Sequence, residues 1–252
     1  MAVSIGTAGW AIPAAVADRF PREGSGLERY AAVFDAVEIN STFHRPHKPA
    51  TFERWATSTP ESFRFSVKVP RAVSHDARLS DCDEPIGTFL GSLAPLRPKL
   101  ALLLLQLPPS LAFEAQSAGR ACDRLARLGV PLCCEPRHVS WFTPKADAWL
   151  VERRIARVAA DPARHEGAGE PGGWRGLSYW RLHGSPRPYY STYGDAVTAA
   201  LAHRIEQEAA AEVWCMFDNT ASGAAAADAL TLKAQLAGSN GSPPLTPGAS
   251  RA

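Results

Sequence analysis

The sequence predicts an α/β fold, a TIM-like (β/α)8 barrel that is irregular at its sixth unit. Three observations predict it. Eight short β-like segments recur along the chain, most of them followed by a helix-like stretch, an alternation that favours parallel strands joined by crossover helices. The 252 residues match the roughly 250 that one such barrel takes. Polar side chains of a single parity also gather at the C-terminal ends of the segments, where barrels of this type carry their sites.

The elements follow in order. The first segment, Val3–Gly6, precedes a helix over Leu27–Phe34. The second, Ala36–Asn40, puts Glu38, Asn40 and Thr42 on one face and Val37 and Ile39 on the other, since side chains alternate across a strand. A helix over Thr51–Thr57 leads to the third, Arg64–Val69, where Ser66 and Lys68 oppose Val67 and Val69. After a helix over Pro85–Ala94 comes the apolar fourth segment, Leu100–Leu107, with Gln106 opposing Leu105 and Leu107. The helix Glu114–Arg127 connects to the fifth, Leu132–Arg137, with Glu135 and Arg137 opposing Cys134. The helix Ala146–Arg153 leads to the sixth, Ile155–Asp161, in which Asp161 opposes Ala160. Gly167, Gly169, Pro171, Gly172 and Gly173 then leave no room for a sixth helix. The seventh, Ser178–His183, sets Arg181 and His183 against Leu182, and Ala196–Ala211 is helical. The eighth, Glu212–Asp218, is followed by Asn219, in line with Cys215 and Phe217, and by a helix over Gly223–Ala237. The expectation is one barrel domain over residues 1–238 and a Gly/Ser/Pro-rich, disordered tail over 239–252.

The apolar parity suits the face covered by helices, so the polar parity points into the barrel. Buried charges are costly unless paired or hydrated. Their convergence at one end therefore predicts an open, solvated pocket there.

Bulk properties narrow the function classes. Hydrophobic residues make up 46% and charged residues 21%, an ordinary globular balance. A net charge of +2 supports nucleic acid only weakly, because phosphate-backbone binding shows as clustered Lys and Arg. Cys82, Cys122, Cys133, Cys134 and Cys215 form no CxxC pair and are odd in number, and an opening Ser4-Ile5-Gly6-Thr7 gives no expectation of a secretory leader. Reduced thiols in the cytoplasm are the expectation. The longest apolar run, Leu100 to Leu105, is far short of the ~20 residues a membrane span needs.

The motifs resemble those of the YecE-like family, domain of unknown function 72, whose fold is a TIM barrel. The residues that carry the resemblance are Gly6-Thr7-Ala8-Gly9-Trp10, Val37-Glu38-Ile39-Asn40-Ser41-Thr42-Phe43 and Phe65 through His75. Gln106-Leu107-Pro108-Pro109-Ser110, Glu135-Pro136-Arg137-His138, Ser140-Trp141-Phe142, Arg181-Leu182-His183-Gly184 and Phe217-Asp218-Asn219-Thr220 add to them. Two departures stand out. His44 follows Phe43 where the family has Tyr, and Asp218-Asn219 replaces an Asn-Asn pair. The resemblance implies a fold but no settled activity. Some members resemble endonuclease IV and sugar-isomerase barrels in shape, an analogy of fold alone.

Candidate chemistry follows from the polar parity. Glu38, Glu135, Asp161 and His183 could act as acids and bases, with Lys68, Arg137 and Arg181 holding an anionic group. The same carboxylates and His183 could ligate a metal. The cations of the same parity favour an inward ion-pair network instead, so no metal and no cofactor is expected. Arg181, His183-Gly184-Ser185 and Asn219 through Gly223 form a candidate anion site after strands seven and eight, unless Thr220 or Ser222 only caps the last helix. Lys68 with Arg71 and His75 form another. Lys68 could also form a Schiff base, although facing carboxylates favour its charged form.

Trp10, Phe43, Trp141, Phe142, Tyr190 and Tyr193 follow strand ends and would ring the mouth, where they could stack on a sugar or base. Thr7, Asn40 and Gln106 complete the expected binding set. The favoured function is acid–base catalysis on a phosphorylated or sugar-containing small molecule or nucleotide. A metal-dependent phosphodiesterase resembling endonuclease IV is the first alternative. A barrel that binds nucleic acid or another ligand without catalysis is the second.

Overall fold

The computed structural model describes residues 1–239; the tail expected beyond the last helix lies outside them. Among the described residues ten strands occur in the order β1 (Ala2–Thr7), β2 (Ala36–Ile39), β3 (Arg64–Lys68), β4 (Leu100–Gln106), β5 (Leu132–Glu135), β6 (Ile155–Arg157), β7 (Ala159–Asp161), β8 (Gly172–Gly173), β9 (Leu177–Leu182) and β10 (Glu212–Phe217). Seven α-helices connect them: α1 (Gly26–Ala31), α2 (Pro49–Thr57), α3 (Asp83–Ser92), α4 (Ala115–Ala126), α5 (Pro144–Glu152), α6 (Asp195–Glu206) and α7 (Ala224–Ser239).

Strands β2 to β6 pair in parallel in chain order, as do β7, β9, β10 and β1. The expected sixth strand is real but broken at Val158. Its first half, β6, pairs with β5, and its second half, β7, pairs with β9. No helix follows it. Residues 162–171 form a loop, tied down where the Arg157 guanidinium donates to the Gly167 carbonyl at 2.7 Å, and β8 returns antiparallel to β6. The barrel closes between β1 and β2 through a bridge from Ala8 to Glu38. There the buried Tyr30 hydroxyl accepts from Thr7 N at 2.8 Å and donates to Ala36 O at 3.2 Å. The seam leaves no space for a side chain at Gly6, whose added Cβ would lie 2.2 Å from Ala36 O.

Two apolar layers result from the strand alternation. Val37, Ile39, Phe65, Val67, Leu103, Leu105, Trp180, Leu182, Cys215 and Phe217 pack outward under the helices. Ala36, Leu102, Leu104, Cys133, Ala156, Leu177, Tyr179, Trp214 and Met216 fill the lower barrel interior. Burying both faces explains the near-continuous apolar run of β4. Capping fixes several helix starts. Ser25 and Glu28 form a reciprocal capping box at α1, the Thr143 hydroxyl accepts from Ala146 N, and the Glu114 carboxylate accepts from the first turn of α4. Above the lower apolar layer the inward parity turns polar, and the site begins.

Candidate functional site

The Arg181 guanidinium is the centre of the upper barrel. It is wholly buried and lies among three carboxylates, two carried by β2 and β5 and one just after β10. Its NH2 donates to Glu38 at 2.7 Å and its Nε to the other Glu38 oxygen at 3.0 Å. NH1 donates to Glu135 at 3.0 Å, and NH2 also lies 3.0 Å from Asp218. The Tyr179 hydroxyl donates to Glu38 at 2.8 Å and lies 3.2 Å from the Ser66 hydroxyl. On the outer side, Arg137 donates to one Glu135 oxygen through Nε and NH2, at 3.0 and 2.9 Å.

His183 spans the gap between two of the carboxylates, with Nδ1 3.0 Å from Asp218 and Nε2 3.2 Å from Glu135. Burial pulls its pKa down, but the Glu135 charge and hydrogen bonds to Asp218 and Glu135 outweigh that, leaving it above 6.5. Burial pushes Glu135 up, yet Arg181, Arg137 and His183 hold it well below the usual carboxylate range. Asp218 behaves alike: burial is outweighed by Arg181 and His183, and its pKa falls. Three carboxylates are thus set against two guanidinium groups and an imidazole ring of raised pKa, a balance of opposed groups.

Lys68 stands outside that balance. It is 5% exposed and makes no hydrogen bond or ion pair among the described residues; its Nζ lies 4.2 Å from the centre of the Phe43 ring. Burial and the neighbouring Arg181 lower its pKa to about 8, against the pull of Glu38, Glu135 and Asp218. Asn40 follows β2 and Gln106 ends β4, on the two strands flanking that of Lys68. Asn40 Oδ1 and Gln106 Oε1 are buried and accept no hydrogen bond.

The expected open pocket is replaced by a narrow one. A crevice of about 30 Å³ lies over Glu135 and His183, walled by Pro162, Arg164, Pro188 and Tyr189. Beside it, a shallow basin of about 470 Å³ is lined by Pro109, Arg137, His138, Val139, Arg164 and His165. Arg137 and Arg164 line both hollows. A separate cleft of about 430 Å³ lies between the segments after β2 and β3, lined in part by Phe43, Arg45, Arg71 and Glu84.

The structure thus brings together Glu38, Lys68, Glu135, Arg137, Arg181 and His183, with Asn40, Phe43, His75 and Gln106 nearby. Several other expected residues lie elsewhere. Asp161 shares the outward parity of Ala159, and its carboxylate accepts from the Tyr193 hydroxyl at 2.8 Å. Tyr193 is itself buried, and its hydroxyl also accepts from Gly184 N. Asn219 follows the outward parity of Phe217; its amide donates to Asp228 and to Ser191 O, at 2.6 and 2.9 Å. Arg181, the arginine of the expected anion site after strands seven and eight, is sunk among carboxylates. The Thr7 hydroxyl is held between Gly9 O and Tyr30.

The expected aromatic ring is also corrected. Trp141 is a core residue whose indole donates to Leu111 O at 3.0 Å. Trp10 packs edge-on against Trp55 of α2, and Phe142 lies under Arg157. Tyr190 is exposed and stacks with Arg187, while Arg71 pairs with Asp76 on the surface. Phe43 does reach the site, between Lys68 and His75. Tyr189, not among the expected residues, stands edge-on to His183 with ring centroids 5.7 Å apart. Asp218 and Tyr179 were also not expected. Their signal was the parity itself, since Trp214, Met216 and Asp218 alternate inward, as do Tyr179 and Arg181.

The family model for a protein of unknown function, DUF72, matches residues 4–251. The UPF0759 protein YecE of Escherichia coli (strain K12) is 40% identical over 84 residues; the match spans 33% of this chain and only 31% of that protein. A DUF72 family protein of Thermotoga maritima MSB8 superposes with a TM-score of 0.76 at 24% identity, covering 94% of this chain and all of the other. D-psicose 3-epimerase from Clostridium cellulolyticum H10 shares the fold at a TM-score of 0.53 and 11% identity, over 95% of this chain and 98% of the enzyme. No helix among the described residues is long and apolar enough to cross a membrane.

Proposed function

The chain belongs to the DUF72 family of proteins of unknown function, and on that premise we propose that it is an enzyme acting by proton transfer on a small anionic metabolite, phosphorylated or sugar-derived. The observation that carries this reading is the basin beside the crevice. Two arginines and two histidines line it, and no carboxylate does. Guanidinium forks match phosphate and carboxylate oxygens. An anion seated between Arg137 and Arg164 would bring its neighbouring atoms over His183 and Glu135, because both arginines also line that crevice.

The roles divide by accessibility. His183, bonded to Asp218 and Glu135, is the group that gives up the proton and takes it back, and Glu135, held well below the usual carboxylate range, orients the ring. Glu38 and Asp218 are positioning residues that fix Arg181, which in turn fixes Glu135. Metal-assisted hydrolysis is the weaker reading, because guanidinium or imidazole nitrogens already occupy the carboxylates of Glu38, Glu135 and Asp218. A nucleotide phosphate belongs to the same ligand class and fits the same basin. The five cysteines, all buried and unpaired, support residence in the reducing cytoplasm.

Calorimetric titration with ribose 5-phosphate, fructose 6-phosphate, adenosine monophosphate and inorganic phosphate tests the reading. At least one should bind, and Arg164→Gln and Arg137→Gln should each weaken it about 10-fold, the size expected for a lost charge-assisted contact. If none binds, or the double variant binds as tightly as the native protein, the assignment fails.

A further inference from the structure

Buried lysines normally have a carboxylate partner, because an unpaired ammonium in a protein interior is costly. Lys68 has none. Its amine lies over the Phe43 ring at 4.2 Å, and the side chain is 5% exposed. The nearby carboxylates are committed elsewhere: Glu38 to Arg181 and Tyr179, Glu135 to Arg181, Arg137 and His183, and Asp218 to Arg181 and His183. Two amide oxygens without partners, Asn40 Oδ1 and Gln106 Oε1, belong to the strands on either side. Each is an acceptor that a hydroxyl donor would satisfy, and neither offers a charge to hold an ammonium.

We infer that Lys68 is a covalent catalytic residue, a nucleophilic amine that forms an imine with the carbonyl carbon of a small hydroxy-aldehyde or hydroxy-ketone, whose hydroxyl groups Asn40 and Gln106 receive. The inference rests on the mouth being a reaction site but not on the anion basin. The neutral Nζ donates its lone pair to the carbonyl carbon. A proton passes from that nitrogen to the former carbonyl oxygen, giving a carbinolamine. Loss of the hydroxyl with the second N–H proton as water leaves the carbon–nitrogen double bond. No electron leaves or enters the pair of reactants, so no redox partner is needed. The lowered pKa of about 8 supports the step, since it raises the fraction of neutral amine at physiological pH.

Reductive trapping tests this. The full-length protein is incubated with glycolaldehyde or dihydroxyacetone and sodium cyanoborohydride at about pH 7.5, and adduct formation at each lysine is followed by peptide mass spectrometry. The exposed Lys48 and Lys145 serve as internal references. Lys68 should be labelled at least about 10-fold faster than either, because its pKa, lowered to about 8, leaves a sizeable share of its amine neutral at that pH. Asn40→Ala with Gln106→Ala should reduce that preference while leaving Lys48 and Lys145 unchanged. Equal labelling of the three lysines overturns the inference, as does a preference for Lys68 that the double variant leaves intact. Phosphate binding at Arg137 and Arg164 with no trapping at Lys68 would sink this inference alone, and trapping without phosphate binding would sink only the basin reading.

Discussion

Arg181 clamps Glu38 through two nitrogens at 2.7 and 3.0 Å, and neither side chain has any exposure to solvent. The same guanidinium holds Glu135 and Asp218, so its removal leaves three carboxylates crowded in a low-dielectric interior. Breaking such a cluster from one side costs about 3–5 kcal/mol. Urea denaturation of Arg181→Met should show a loss of that order. Arg181→Met combined with Glu38→Leu should recover part of it, because the second change removes one of the stranded charges. A double variant no more stable than the single one would mean that Glu38 contributes nothing to the penalty.

His183 has a raised pKa, so its contribution to stability is fully present below its ordinary 6.5 and is lost as pH rises through its folded value. Glu135 and Asp218 have lowered values; their contribution is present above their ordinary 4.5 and 3.8 and is lost as pH falls. Stability should therefore peak between those limits. Replacing His183 by Gln should flatten the alkaline side of the profile and leave the acid side in place. Imidazole titration by NMR should put His183 above 6.5. Glu135→Gln should lower that value, since the Glu135 charge does most to hold the proton on the ring against the effect of burial.

Lys68 gives the opposite sign. Its folded pKa of about 8 lies below its ordinary 10.5, so burying the ammonium penalises the fold below pH 8. The penalty eases as pH rises from 8 toward 10.5. Lys68→Met should therefore stabilise the protein at neutral pH, by at most roughly 3 kcal/mol from the size of the shift. That gain should shrink steadily in denaturation curves taken at rising pH. A destabilised variant at neutral pH would show that the amine is better satisfied than its contacts indicate. A destabilising native lysine is what a residue retained for chemistry would look like.

Much of this was legible in the residues, for a physical reason. Strand alternation has a period of two, so Glu38, Lys68, Glu135 and Arg181 had to share the barrel interior once the apolar positions between them faced the helices. The resemblance of the motifs to a known family agreed with the barrel. What period alone could not give is what happens after a strand ends. Asn219 stands in line with the outward Cys215 and Phe217, but its partner Asp228 comes from the last helix, and Asp161, ending the broken sixth strand, pairs with Tyr193. Trp141 lies on a short 3₁₀ turn, Val139–Phe142, that folds it back into the core. The commitment of every carboxylate in the site to Arg181 depends on segments far apart in sequence, and no local pattern records it.

Closure of the barrel rests on a narrower feature. At the β1–β2 seam the Tyr30 hydroxyl stands in for ladder hydrogen bonds, accepting from Thr7 N and donating to Ala36 O. Tyr30→Phe would strand the Thr7 N–H in a buried position, which costs about 1–3 kcal/mol. Gly6→Ala should be worse, because the new Cβ would meet backbone, Ala36 O at 2.2 Å, and only separation of the strands could relieve it. Overpacking of this kind typically costs about 1–3 kcal/mol and occasionally more. Gly91→Ala provides the contrast: it lies in α3 with nothing within 4 Å of its Cβ and should stabilise by about 0.5–1 kcal/mol through helix propensity. Thermal and urea denaturation of the three variants checks the order. Because Ala8 and Glu38 are paired across the same seam, Gly6→Ala should also loosen the Glu38 side of the site. Hydrogen exchange at Gly9 N, which donates to Glu38 O at 2.8 Å, should quicken in that variant and stay unchanged in Gly91→Ala.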